Sequence, residues 1–281
     1  MTTGPGTLLR QWRVRRRLSQ LELSSQTGVS TRHLSYVETG RSSPSRDLVL
    51  RLSSHLDVPL RERNHLLVAA GFAPEYRGTP LDDPSMDAVR AALRVVLDGH
   101  GPNPALVVDR SWNLVEANAA VAVLLGDVDP ALLEAPVNVL RVAMHPRGMA
   151  PHIANLAEWR AHALDRVRRQ VASTGDPELA RLLAELSAYP GGEAMAGVSD
   201  GVAIPMQVTI GGEPLAFLTT VATFGTPLDI TVAELVIESF YPADAASARA
   251  LARLAASVDP TLVAAVLGSR LGSSPTHLEV R

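Results

Sequence analysis

The stretch that most restricts how this chain folds is LSQLELSSQTGVSTRHLSYVETGRSSPS, residues 18–45. Ser19, answered three residues later by Glu22, is the pattern of a capping box, in which two backbone donors at a helix start are satisfied reciprocally. The helix so begun runs from Gln20 to Thr27 and meets Gly28, the residue best suited to the left-handed conformation that ends a helix. Ser30 caps a second helix, Thr31 to Thr39, which Gly40 stops. Two short helices joined by a glycine-containing turn form a helix-turn-helix unit, a shape able to lay one helix in a DNA major groove.

Helical spacing sorts the second helix into two sides. At about 100° per residue, Ser30, Leu34 and Val37 cluster on one face, while Thr31, Arg32, Ser35 and Tyr36 share the other. The first face is small or apolar and suits packing; the second offers hydrogen-bonding groups and a long cation. Charge agrees with this division. Residues 1–60 carry nine arginines against four acids, a net +5, although the whole chain is −3, so the remainder is −8. A basic head on an acidic body is the distribution expected when only the head meets phosphate.

These residues resemble the helix-turn-helix of phage-repressor and Cro-like regulators, the XRE family. The resemblance spans roughly residues 8–71 and rests on Ser19-Gln20, Gly28-Val29-Ser30, Leu34, Val37-Glu38 and Gly40-Arg41 falling in step. It implies a five-helix all-α domain in which Gln20 bonds a phosphate, Thr31, Arg32 and Tyr36 approach base edges, and Arg41 sits on the DNA backbone. Ser30 and Ser35 complete the candidate DNA-contact set. Arg13 and Glu38 match a structural salt bridge of such domains. Ser24 and Thr27 depart from the pattern, standing where small or branched apolar residues are usual.

Beyond this head, FAPEYRGTPLDDP (72–84) has the composition of a linker. A helix is expected near Ser85 to Asp98, with Met86, Val89, Leu93 and Val96 as its stripe. ALVVDRSWNLVEANAAVAVLLG (105–126) parses as strand, turn at Arg110-Ser111, strand, then a helix near Asn118. Residues 138–172 read as helical, interrupted by HPRGMAP, with Leu156, Trp159, Ala163, Val167 and Val171 on one face and Arg160, Arg166 and Arg169 largely off it. Pro177 opens another helix, and GGEAMAGVSDG (191–201) reads as a flexible crossing. VAIPMQVTI alternates cleanly, Gly211-Gly212 turns it into a partner strand, and TVAELVIESFYP (231–242) reads as one more strand, with a helix as the alternative. The architecture expected is therefore two domains: a helical head, residues 1–71, and after the linker an α+β, PAS-like domain, residues 85–256, of antiparallel sheet with flanking helices. Residues 257–281 read as a C-terminal tail.

The order of ALVVDRSWNLVEAN, NVLRVAMHPRGMAP, NLAEWR, TTVATFGTPLDIT and IESFYPAD is similar to the ligand-binding domain of MmyB-like regulators, over roughly residues 86–256. That resemblance implies a PAS-like fold around an apolar cavity for a fatty-acid-like or similarly amphiphilic molecule. Candidate lining residues are Trp112, Leu114, Met144, Trp159, Met206, Val208, Phe217 and Phe224, although for any single one of them filled core is the favoured reading. Arg141, His145 and Arg160 are candidates to meet an anionic head at the rim.

Catalysis finds little support in the sequence. There is no G-x-S-x-G elbow, no H-E-x-x-H, no phosphate-cradling glycine loop and no cysteine. His145 and His152 lack partners at metal-ligand spacing, so no metal and no resident cofactor are expected. The reading is a ligand-responsive regulator that binds a double-stranded operator as a homodimer, stays in the cytoplasm and has no membrane span. A flavin- or haem-bearing sensor, or an enzyme fused to a DNA-binding head, are the alternatives.

Overall fold

The computed structural model describes residues 4–192, 204–257 and 261–268. They form two compact units: residues 4–83 with 172–175 and 225–233, and residues 84–171 with 176–192, 204–224, 234–257 and 261–268.

The first unit opens with five helices, α1 (Pro5–Arg15), α2 (Gln20–Thr27), α3 (Thr31–Glu38), α4 (Arg46–His55) and α5 (Leu60–Ala69). None is long enough to persist alone in water, so packing must hold them. Leu9, Trp12, Leu23, Leu34, Val37, Leu52, Leu56, Leu66 and Leu67 supply the shared core. Each such side chain stabilises by roughly 1.5–3 kcal/mol relative to exposure. The helix starts are fixed locally. Ser19 and Glu22 form both halves of the capping box, Ser30 Oγ accepts from the His33 N–H at 3.2 Å, and Ser45 Oγ accepts from Leu48 at 3.2 Å. Gly28 and Gly40 stand at φ +68° and +74°, in the left-handed region where a side chain is strained.

The linker-like segment is pinned rather than free over part of its length. Asn64 on α5 accepts from the Glu75 and Tyr76 N–H groups and donates to the Tyr76 carbonyl at 2.7 Å. One amide side chain thus satisfies three backbone groups that composition alone assigns to solvent.

The second unit contains α6 (Asp87–Gly99), β1 (Ala105–Val108), β2 (Leu114–Ala117), α7 (Ala122–Leu125), α8 (Val139–Met144), α9 (Leu156–Thr174), α10 (Pro177–Ala188), β3 (Met206–Ile210) and β4 (Glu213–Ala222). After α11 (Ile230–Ala233), which belongs to the first unit, come β5 (Val236–Pro242), α12 (Ala245–Ala255) and α13 (Thr261–Gly268). The five strands make one antiparallel sheet in the order β2-β1-β5-β4-β3, so the earliest strand pairs with the last. β1 lies between two neighbours and is buried along its whole length, which is why its residues read as an unbroken apolar run. β3 keeps the expected alternation, with Met206 and Val208 buried and Gln207 and Thr209 exposed.

Four expectations are corrected here. On α6 the buried positions are Leu93 and Leu97, with Met86 buried just before the helix; Val96 is 47% exposed, so the core lies on the Leu97 side of the expected stripe. Residues 231–242 are not one strand: the chain forms α11 first, and β5 begins at Val236. The segment after residue 256 is no mere tail, since α13 buries Val263 and Val266 in the main core. Residues 72–84 are in part held, as described for Asn64. The flexible crossing expected at 191–201 lies, from 193 onward, outside the described residues.

Candidate DNA-reading surface and ligand cavity

In the first unit α3 presents two unlike sides. Leu34, Val37 and Glu38 are buried, whereas Thr31, Arg32 and His33 are exposed and Ser35 and Tyr36 are half-buried. The Arg32 Nε donates to the Tyr36 hydroxyl at 3.1 Å, with its guanidinium 5.4 Å from the Tyr36 ring centre. Arg41 lies 5.9 Å from the same ring. Tyr36 therefore carries a cation on each of two approaches and limits the rotamers of both, a preordering that lowers the entropy lost when they meet a partner. Thr31, Ser35 and Ser30 complete the exposed or half-exposed set, Ser30 with its oxygen committed to the cap.

A buried ion pair holds α3 from behind. Arg13 on α1 donates to both Glu38 oxygens at 2.6 and 2.8 Å, and the Gln20 amide donates to Glu38 at 2.8 Å. The Glu38 hydrogen bond raises the Arg13 guanidinium above its ordinary value, against the opposing effect of burial. Gln20 is thus braced on the scaffold at the start of α2. The other arginines at the end of α1 are likewise spoken for: Arg16 donates to the Leu56 and Asp57 carbonyls, and Arg15 stacks on Trp12. Gly6 brings α1 against α3 without a side chain between them; a Cβ there would stand 2.0 Å from the Val37 carbonyl oxygen. Of the two departures, Thr27 donates its hydroxyl to the Leu23 carbonyl at 2.6 Å, whereas the buried Ser24 hydroxyl has no hydrogen-bond partner among the described residues.

The second unit encloses a cavity of about 430 Å³ between the sheet and helices α7, α8 and α9. That volume falls within the usual range for small-molecule sites. Its walls are Leu106, Leu114, Val121, Leu124, Leu125, Leu140, Val142, Met149 and Phe240, with Trp159 and Ala163 from α9 and Met206 from β3. One part of the wall is polar: His162, Arg166, Thr219, Thr220 and Glu238. Arg166 lies 4.2 Å above the Trp112 ring and donates to Glu238 Oε1 at 3.0 Å. Glu238 is only 9% exposed, and burial pushes its carboxyl up from the ordinary value, with Arg166 opposing. Trp112 itself is turned inward by a left-handed backbone (φ 66°) and anchors its indole N–H on Gln170 at 2.9 Å.

The structure sorts the sequence candidates. Leu114, Trp159 and Met206 line the cavity. Trp112, Met144, Val208 and Phe217 are buried core residues outside its wall, and Phe224 is half-buried, likewise outside it. The proposed rim cations do not reach the cavity. Arg141 forms a two-pronged pair with Glu185 at 2.7 and 2.8 Å, and Arg160 donates to the carbonyls of Leu186, Ser187 and Tyr189 at the end of α10. His145 meets Tyr189 edge to face. That tyrosine donates to Glu185, and burial with this bond pushes its hydroxyl up to about 12. These three residues tie α8 and α9 to α10.

Two residues were missed, and each left a signal. Arg166 follows Trp159 by seven residues and Ala163 by three, which is helical spacing for the stripe itself. Glu238 stands two before Phe240 in a strand, so alternation sets the pair on one face, here the cavity face. Among the described residues, no group of three or more histidine or acidic side chains could hold a metal ion, and no helix is long and apolar enough to cross a membrane.

Comparison with known proteins adds two family matches. Residues 6–66 match a helix-turn-helix domain family, and residues 89–254 match the MmyB-like transcription regulator ligand binding domain. Uncharacterized HTH-type transcriptional regulators of Mycobacterium bovis and of two Mycobacterium tuberculosis strains are 36% identical over 102 residues, covering 36% of this chain. The match spans 40% of the length of these relatives. With a cavity-bearing sheet domain accounting for more than half its length, and a helix-turn-helix head before it, the chain belongs to the family of MmyB-like transcription regulators.

Proposed function

We propose that this chain is a ligand-responsive transcription regulator. The observation that carries the reading is the pairing, in one chain, of an outward-facing polar helix braced by a buried ion pair with an enclosed, largely apolar cavity in a separate unit. In this reading Thr31, Arg32 and Tyr36 address base edges, while Gln20, Ser30, Ser35 and Arg41 hold the DNA backbone or orient the helix. A cytoplasmic homodimer would set two such helices about one DNA turn, roughly 34 Å, apart on a two-fold operator. The second unit is a PAS-like sensor, a reading supported by a single antiparallel sheet whose first and last strands pair and whose helices close a cavity. It takes a small apolar or amphiphilic, fatty-acid-like molecule, which biases DNA binding through its unequal affinity for two states of the protein.

The test is an operator selected by the full chain from a random duplex pool, followed by salt titration of the affinity. Arg32→Ala should lose about 1–3 kcal/mol of discrimination between operator and random duplex, whereas Arg41→Ala should weaken both and reduce the salt slope by about one. Loss that is equal on every duplex for Arg32→Ala would remove it from the base-reading set. No salt-sensitive duplex affinity at all would overturn the regulator reading. Mass spectrometry of small molecules carried through purification tests the sensor half.

A further inference from the structure

The polar part of the cavity wall is electrically balanced before any ligand arrives. Arg166 and Glu238 sit on opposite walls, one on α9 and one on β5, and are joined by a single hydrogen bond. Among the described residues Glu238 has no other partner, so its second oxygen remains an open acceptor in the lining. Arg166 spends one of its donors on that bond and sets its guanidinium carbon over Trp112, which leaves further N–H groups for a guest. Thr219, directly opposite Phe240 in the sheet, adds a hydroxyl on the same face. The remaining titratable group in the wall, His162, is exposed to solvent.

Resting on the sensor reading above, we infer that the cavity selects an uncharged amphiphile, whose head offers a hydrogen-bond donor to Glu238 and an acceptor to Arg166: a primary amide, an alcohol or a hydroxy-ketone on an apolar body. A neutral head leaves the ion pair balanced and satisfies both of its open sides. A carboxylate head would set a second negative charge beside a buried carboxylate, and two such groups sharing a site do not both ionise readily. An ammonium head would leave an uncompensated cation in the same apolar surroundings, which is costly.

The experiment compares dodecanamide, dodecanoate and dodecylamine binding to the full chain at pH 8, by calorimetry or displacement of a fluorescent probe. The three share one apolar tail, so the head alone distinguishes them. Dodecanamide should bind about tenfold or more tightly than either charged analogue. In Glu238→Gln the disadvantage of dodecanoate should shrink to about threefold or less, because the opposing charge is gone. Dodecanoate or dodecylamine binding as tightly as dodecanamide to the unaltered chain overturns the inference, and this arm needs no variant to fold. A dodecanoate disadvantage that stays at about tenfold or more in a folded Glu238→Gln, checked by circular dichroism, overturns it too. If none of the three binds, the sensor reading itself falls, an outcome distinct from a wrong order among binders.

Discussion

Two ion pairs of this chain, each with a buried carboxylate, are built from the same two residue types and behave oppositely. Arg13 and Glu38 meet through two bonds, and the Gln20 amide takes part of what Glu38 has left. Arg166 and Glu238 meet through one bond, with open space beside them. The first pair is closed on itself and joins α1, α2 and α3. The second is unfinished, and its carboxyl is driven upward by burial that Arg166 offsets only in part. A satisfied buried pair is scaffold; a half-satisfied one lining a cavity is a place for a guest to complete.

The contrast can be broken most severely at Glu38. Glu38→Ala leaves Arg13, 8% exposed, as an unpaired buried charge and should destabilise the first unit by about 3–5 kcal/mol in urea unfolding. A loss under about 1 kcal/mol would show that the pair is not the brace described.

Glu238→Gln should act more mildly and with the opposite dependence on pH. Because the native carboxyl titrates above its usual 4.5, the native state holds that proton where the unfolded chain has released it. The stabilisation is complete below the usual value and is lost as pH rises through the elevated one. The melting temperature of the unaltered chain should therefore fall relative to that of Glu238→Gln as pH is raised above about 4.5. Parallel curves for the two proteins would remove Glu238 from the set of perturbed groups.

Arg141→Ala supplies the small reference effect. Its pair with Glu185 is 40% and 37% exposed, so solvent screening limits the loss to about 1 kcal/mol or less, even though Arg141 holds the Glu185 carboxyl below its ordinary value. A thermal melt that drops as far as that of Glu38→Ala would erase the distinction between wetted and dry pairs.

Most of the fold was written locally. Caps, glycine stops and alternation fixed the helix starts in the head and the strand at Met206–Ile210, because those signals depend only on near neighbours. Where sequence reasoning failed, a distant partner decided. Asn64 holds a segment whose prolines and glycine suggest a free linker, and the core claims α13 from a stretch with little pattern. The outward face of α3 was legible because helix geometry alone defines it. The cavity's polar wall was not: looking for a lone cation near the α8 loop passed over a cation already paired to a carboxylate 72 residues away. Arg141 and Arg160 looked available only because their acceptors lie on α10.

Gly6 carries a consequence for the reading head that its position outside the contact surface conceals. The distance from α1 to the end of the outward-facing helix is set by the width of a bare backbone, so a single methyl group there must displace one of the two helices. In the regulator reading proposed above, side chains aimed at a rigid duplex tolerate little change in approach angle. Specificity in this head would then be gauged from its back, by an atom that is not there.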